Sequence, residues 1–134
     1  MKDLFNDVKV STVISPHSPA ATGTISGTVI DTANFANITF TIASGLQTST
    51  DVTVTPIIMS GTVTGTLTSA AAADIIGTEA SAALDGTAGA SSVSKIGYKG
   101  VNRYVSCDLL VATAATGLYS VTALQGGARK KPQS

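Results

Sequence analysis

A nucleophilic or acid–base site needs a reactive side chain beside a partner that tunes it, and this chain is sparing with both. It has one cysteine, Cys107, and one histidine, His17. Cys107 stands in the alternation Val105, Cys107, Leu109, Val111, the apolar side of a period-two strand, so it is expected to be a small buried core residue rather than a nucleophile. His17 falls in Ser15-Pro16-His17-Ser18-Pro19 with no cysteine and no second histidine to share a metal, which reads as an exposed loop residue. The acids of the central region, Asp31, Asp51, Asp74, Glu79 and Asp85, stand singly. They lack the paired spacing that carboxylate catalysis requires. No Gly-x-Ser-x-Gly, no Walker glycine loop and no Cys/His metal spacing is present. The sequence therefore predicts no catalytic residue, no cofactor and no metal, and an enzyme is the remotest class.

Binding chemistry has more to work with. Lys95, Lys99 and Arg103 interleave with Tyr98 and Tyr104, and Arg129-Lys130-Lys131 adds a basic run. Cations beside aromatics are the raw material of a nucleic-acid surface. Against that, formal net charge is zero and the isoelectric point is near 6.5, a poor basis for holding phosphates, so nucleic acid is not the expected partner. The charge is nevertheless divided. Between Ser11 and Ser94 all five charges are negative; from Lys95 onward six positive residues face only Asp108. Ends of opposite sign suit contacts between copies or with a partner lattice. A plainer reading stands beside it, in which Arg103 starts a strand paired to an acid and Tyr104 packs over the sheet.

The elements that must carry these residues are strands. Charged residues are 12% and aromatics 4% of the chain, with no Trp, while Thr and Ser together supply 35 residues. Thr is β-branched and covers a pleated face well, but uncharged hydroxyls do little to keep molecules apart. The core must come from Val, Ile, Leu and Ala, which leaves an isolated monomer a thin margin. Strict alternation over Asn37–Ala43 puts Ile38, Phe40 and Ile42 on one face. Asp7–Ile14, Thr24–Asp31 with a bulge at Gly27, Asp51–Met59 with Val52 and Val54 inward, and Thr62–Thr68 are further strands, Pro56 requiring an edge or kink. Tyr104–Ala112 and Leu118–Gln125 read as a hairpin across the small-residue loop Thr113–Gly117, preceded by a turn at Gly97–Gly100. Thr78 caps a short helical turn, and Gly86–Ser92 is a loop.

Seven or eight short strands predict an all-β fold, either an antiparallel β-sandwich or a jelly-roll-like barrel. Residues 1–134 form one domain: an extended N-terminal strand or arm over 1–19, the sandwich over 20–125, and a flexible tail over 126–134. The N-terminus is too charged for a signal peptide, and the uncharged run Val52–Ala73 holds Pro56, Gly61 and Gly65, so it is a poor membrane span. Cytoplasmic synthesis without disulfides is expected.

Three stretches together, Met1–Val10, Ala71–Thr78 (Ala-Ala-Ala-Asp-Ile-Ile-Gly-Thr) and Ile96–Val105, resemble a family of small proteins encoded among the head genes of tailed bacteriophages and prophages. Tyr98, Gly100, Arg103, Tyr104 and Val105 reproduce its Tyr-x-Gly-x-x-Arg-Tyr-hydrophobic pattern. Arg129-Lys130-Lys131-Pro132 departs from the neutral tail of that family. The resemblance implies a virion structural protein assembled in the host cytoplasm. Its expected form is a decoration or cement protein on the capsid exterior, binding the major capsid protein as a homotrimer. Candidate interface residues are Lys2, Phe5, Val8, Val10, Tyr98, Arg103, Tyr104, Arg129, Lys130 and Lys131. A head–tail connector or tail component is the nearest alternative. A carbohydrate-binding module is a more distant one, short of the exposed aromatic platforms that hold sugars.

Overall fold

The alternation of Asn37-Ile-Thr-Phe-Thr-Ile-Ala-Ser44 becomes strand β4, whose Ile38, Phe40 and Ile42 are buried while Thr39 and Thr41 face outward. A computed structural model describes residues 4–19, 21–47, 52–85, 91–112 and 117–129. The chain runs through a single helical turn α1 (Leu4–Asp7), β1 (Lys9–His17), β2 (Gly23–Ile25), β3 (Ile30–Asp31), β4 (Asn37–Ser44) and β5 (Thr53–Gly61). It continues with β6 (Thr68–Ser69), a 3-10 turn at Ala72–Asp74, β7 (Ile75–Ile76), β8 (Leu84–Asp85), β9 (Ser92–Tyr98), β10 (Tyr104–Val111) and β11 (Tyr119–Gly126).

Two antiparallel sheets result. Sheet A runs β1-β11-β4-β9-β7; sheet B runs β2-β10-β5-β6, with β3 also on β10 and β8 also on β5. The sheets stay separate, so the fold is a sandwich and the barrel alternative is set aside. Ile42, Phe40, Val121 and Ala123 from sheet A meet Val54, Ile58, Val105, Cys107 and Leu109 from sheet B in one buried cluster. Removing each such aliphatic side chain from water contributes on the order of 1.5–3 kcal/mol. Cys107 is fully buried there, and burial followed by the nearby Asp108 and Glu79 charges pushes its thiol far above the ordinary range, which disfavours the thiolate.

Several boundaries differ from the sequence expectation. β10 and β11 are not a hairpin: β10 pairs with β2, β3 and β5, whereas β11 pairs with β1 and β4. Alternation fixes which side of each strand is buried, and it did so here, but it carries no information on which sheet receives the strand. Residues 113–116 between them, like most of the Gly86–Ser92 loop, lie outside the described residues. Gly97 and Tyr98 belong to β9 rather than to a turn, Ile76 of β7 lying over Gly97. Thr62–Leu67 is an exposed loop in place of a strand, with Val63 57% exposed; Gly61, at the end of β5, leaves room for the loop to fold back so that the Thr66 carbonyl lies close over it. The proline pair does not end β1, which runs to His17 with irregular register after Thr12. An edge strand tolerates Pro16 because no neighbour there needs its missing N–H.

Other signals held. β2 and β3 pair with the same strand, and the pairings Ile25–Leu109 and Ile30–Val105 leave four residues opposite three, a bulge around Gly27. A side chain at Gly27 would stand 2.3 Å from the Cys107 carbonyl oxygen. Its N–H donates to Asp108 Oδ1 at 2.9 Å and its carbonyl accepts from Ser106 Oγ at 3.0 Å. Pro56 sits in the gap that β6 and β8 leave along β5, where Ile58 N donates instead to Glu79 Oε1 at 2.9 Å. Thr78 caps its turn through Oγ1, which accepts from Ser81 N. Thr28 N donates to Val13 O at 2.9 Å and joins the two sheets along the β1 side.

Candidate functional site

The chain ends of β4, β9 and β11 in sheet A and of β3, β5 and β10 in sheet B come together at one pole of the sandwich. Gly126 is opposite Asn37, Ile38 opposite Tyr98, and Tyr104 opposite both Asp31 and Gly61. The pole is held by hydrogen bonds that cross between sheets. Gln125 of β11, 1% exposed, donates from Nε2 to the Asp31 carbonyl at 2.9 Å. Asn102 Nδ2 reaches Ser60 Oγ at 3.1 Å.

The link from β9 to β10, residues 99–103, explains the Tyr-x-Gly-x-x-Arg-Tyr pattern physically. Tyr98 is 4% exposed, and its hydroxyl accepts from Asn102 N at 3.3 Å. Gly100 lies so close over that phenol that an added Cβ would stand 2.3 Å from the oxygen. Arg103 forms a two-pronged pair with Asp31, Nε to Oδ1 at 2.9 Å and Nη2 to Oδ2 at 2.7 Å, the geometry that orients a guanidinium best. The Arg103 hydrogen bond holds the Asp31 carboxyl below its ordinary value of 3.8. The same guanidinium lies 5.1 Å from the centroid of the Tyr104 ring, a cation–π contact. Thr32 N and Oγ1 both donate to the Arg103 carbonyl. The pattern thus builds a rigid corner.

Above this corner opens a cleft of about 500 Å³, bounded by Thr32, Phe35, Asn37, Ile38, Tyr98, Lys99, Val101, Arg103 and Arg129. Of the predicted contact residues, Tyr98, Arg103 and Arg129 line it and Tyr104 supports it from β10. Tyr98 lines it with little surface of its own, because the residue is core. Val10 lies apart on the edge strand, 63% exposed beside Leu124 at 37%, its register partner. Phe5 is 85% exposed on α1, and Val8 is half-buried. Lys2, Lys130 and Lys131 lie outside the described residues. The sequence grouped Lys99 with the cations beside tyrosines but not with the interface candidates; it missed Val101, which is wholly exposed, and did not identify Asp31 as the partner of Arg103. The Gly97–Gly100 spacing marked the corner without saying which side chains it would display.

The charge division takes a sharper form in three dimensions. Asp31, Glu79 and Asp108 are engaged in internal hydrogen bonds. The Arg103–Asp31 pair is the one ion pair among the described residues, so Lys95, Lys99 and Arg129 remain uncompensated there. At the opposite pole, Gln47 at 2% and Tyr119 at 0% exposure bury polar side-chain atoms with no hydrogen-bond partner among the described residues. Burial raises the Tyr119 phenol's pKa, and the nearby Gln47 amide opposes that without reaching hydrogen-bond geometry. His17 is exposed at that pole, opposite Tyr119 in the register. Among the described residues no three His, Cys, Asp or Glu side chains gather into a metal site, and no helix is long and apolar enough to cross a membrane.

No protein-family model matches this chain, and no curated relative does. Among solved structures, the PBSX exported protein XepA is similar over 100% of this chain and 42% of its own, with a TM-score of 0.57 and 11% identity. This chain thus spans under half of that one, and what the two share at such identity is the fold. A protein of Bacillus endospore appendages, described as disulfide-linked pili, gives a TM-score of 0.43 at 17% identity over 91% of this chain and 89% of its own. A family two carbohydrate esterase from Cellvibrio japonicus gives 0.43 at 6% identity over 97% and 34%. Neither of these two bears on the argument.

Proposed function

We propose that this protein is a non-enzymatic structural component of a tailed-phage virion. In this reading it sits on the capsid exterior as a homotrimer, bound to the lattice of the major capsid protein. One observation carries the reading: the Tyr-x-Gly-x-x-Arg-Tyr corner is used for architecture, through the Arg103–Asp31 pair and the Gly100–Tyr98 contact. The pattern on which the family resemblance rests therefore specifies how a sandwich displays a surface. Apolar side chains left exposed on α1 and along the β1–β11 edge, Leu4, Phe5, Val10 and Leu124, are what association between copies would cover. The fold shared with the PBSX exported protein XepA is compatible with a phage origin. Weak individual contacts suffice on a shell, because many copies bind at once.

Cosedimentation with phage heads tests the proposal, read together with copy number in an imaged particle. Hundreds of externally placed copies in trimers are expected. A single ring of copies moves the protein to the connector, and recovery only as a free monomer removes it from the virion.

A further inference from the structure

The cleft at the pole of the 99–103 link has a chemistry that the rigid corner beneath it does not use. Arg103 is neutralised locally by Asp31, which leaves Lys99 and Arg129 as the uncompensated cations on its lining. Both are exposed, yet their backbones are fixed: Lys99 N donates to the Asp74 carbonyl at 2.8 Å and Arg129 N to the Asn34 carbonyl at 2.9 Å. Between the cations the lining turns apolar, with Phe35 buried to 8% exposure and Val101 fully exposed on the 99–103 link. Cations carried on anchored backbone beside an apolar lining select a ligand that carries carboxylates and a hydrophobic side chain together.

We propose that this cleft docks an acidic segment of a partner protein, Lys99 and Arg129 taking its carboxylates while Phe35 and Val101 cover an adjoining apolar side chain. Nucleic acid fits less well. Tyr98 is buried and Tyr104 lies under Arg103, so neither offers the free ring face on which bases stack. The chemistry of the ligand follows from the cleft alone; identifying the partner as the major capsid protein rests on the virion reading above.

The test uses the full chain and a fluorescein-labelled peptide of alternating Glu and Leu, followed by anisotropy. Saturable binding is expected, weakening several-fold as salt rises from low to physiological strength and beyond. The K99E/R129E variant is expected to bind about tenfold more weakly and Val101→Ser a few-fold more weakly, in keeping with charge reversal and lost apolar cover at a small interface. Lys95→Glu, on the outer face of sheet A, changes charge by as much as Lys99→Glu alone and, set against that single variant, leaves binding as it was. All these side chains are exposed, and an unchanged denaturation midpoint shows that the variants fold.

Absence of saturable binding overturns the inference. So does equal affinity for the Gln/Leu counterpart, equal loss in Lys95→Glu, or tighter binding of an oligothymidylate through the same residues. Cosedimentation of wild type and K99E/R129E with phage heads separates the two proposals. If the peptide binds but heads do not retain the wild type, the virion reading fails alone. If heads retain both forms equally, the capsid is not the partner of this cleft.

Discussion

The two poles of the sandwich solve the same problem differently. At the pole of the 99–103 link, polar side chains bridge the sheets: Gln125 reaches the Asp31 carbonyl and Asn102 reaches Ser60. Toward the opposite pole most described bonds stay within one sheet, as between Ser44 and Ser92 or from Gly45 N to Leu118 O, and Ser94 Oγ of β9 reaches the Ala82 carbonyl ahead of β8. There the side-chain polar atoms of Gln47 and Tyr119 are buried without hydrogen-bond partners among the described residues. A buried polar group that is bonded fixes one geometry, whereas an unbonded one only costs stability. The first pole is therefore built to hold a surface in place, and the cleft lies on it. The second is held chiefly by apolar contact.

The difference can be broken from either side. Gly100→Ala should have the largest effect, about 2 kcal/mol of destabilisation at a constant denaturant slope, because the new methyl group meets a phenol already buried in the core; an unchanged midpoint would mean that the link shifts freely. Gln125→Leu should cost somewhat less, about 1–2 kcal/mol, by leaving the Asp31 carbonyl without its inter-sheet donor. The mirror experiment, Gln47→Leu, should go the other way, stabilising by up to about 1 kcal/mol since it removes amide atoms that have no partner. If the two substitutions shift the midpoint in the same direction, the contrast between the poles is wrong.

The smallest effect is expected from Asp31→Asn, for the ion pair is exposed and solvent screens it. Its signature is pH dependence. Arg103 depresses the folded-state pKa of Asp31, so the stability it contributes is present above the ordinary value of 3.8. That contribution fades as pH falls through the lower folded value. Wild type and Asp31→Asn should accordingly differ at neutral pH and converge in strong acid. A constant gap measured by denaturation across that range would remove the linkage.

Much of the fold was legible because burial on one side of a sheet writes a period of two. Ile38, Phe40 and Ile42, and likewise Val105, Cys107, Leu109 and Val111, point inward as their spacing requires. Gly27 announced its bulge, and Pro56 its gap beside β5. Strand partners were not legible, since the same alternation suits a hairpin and a crossing between sheets, and β10 and β11 took the second course. Of the site, Lys99 and Arg103 were visible as cations around a turn, and Arg129 as the start of a basic run. The partnership of Asp31 with Arg103, 72 residues apart in sequence, was not, because nothing local connects them. Val101 went unnoticed for a related reason: one valine in a link has no periodicity to betray its exposure.

The filled gap along β5 has a consequence for crowding. Where Pro56 lacks a donor and Glu79 occupies the Ile58 N–H, an incoming strand finds no ladder to extend. On the far side of sheet B the bulged pair β2 and β3 is equally uninviting. Lateral growth is thus refused by one layer of the molecule, and β1 remains as the long rail on the other. Copies packed at high density can touch side by side without their sheets fusing into a continuous fibre.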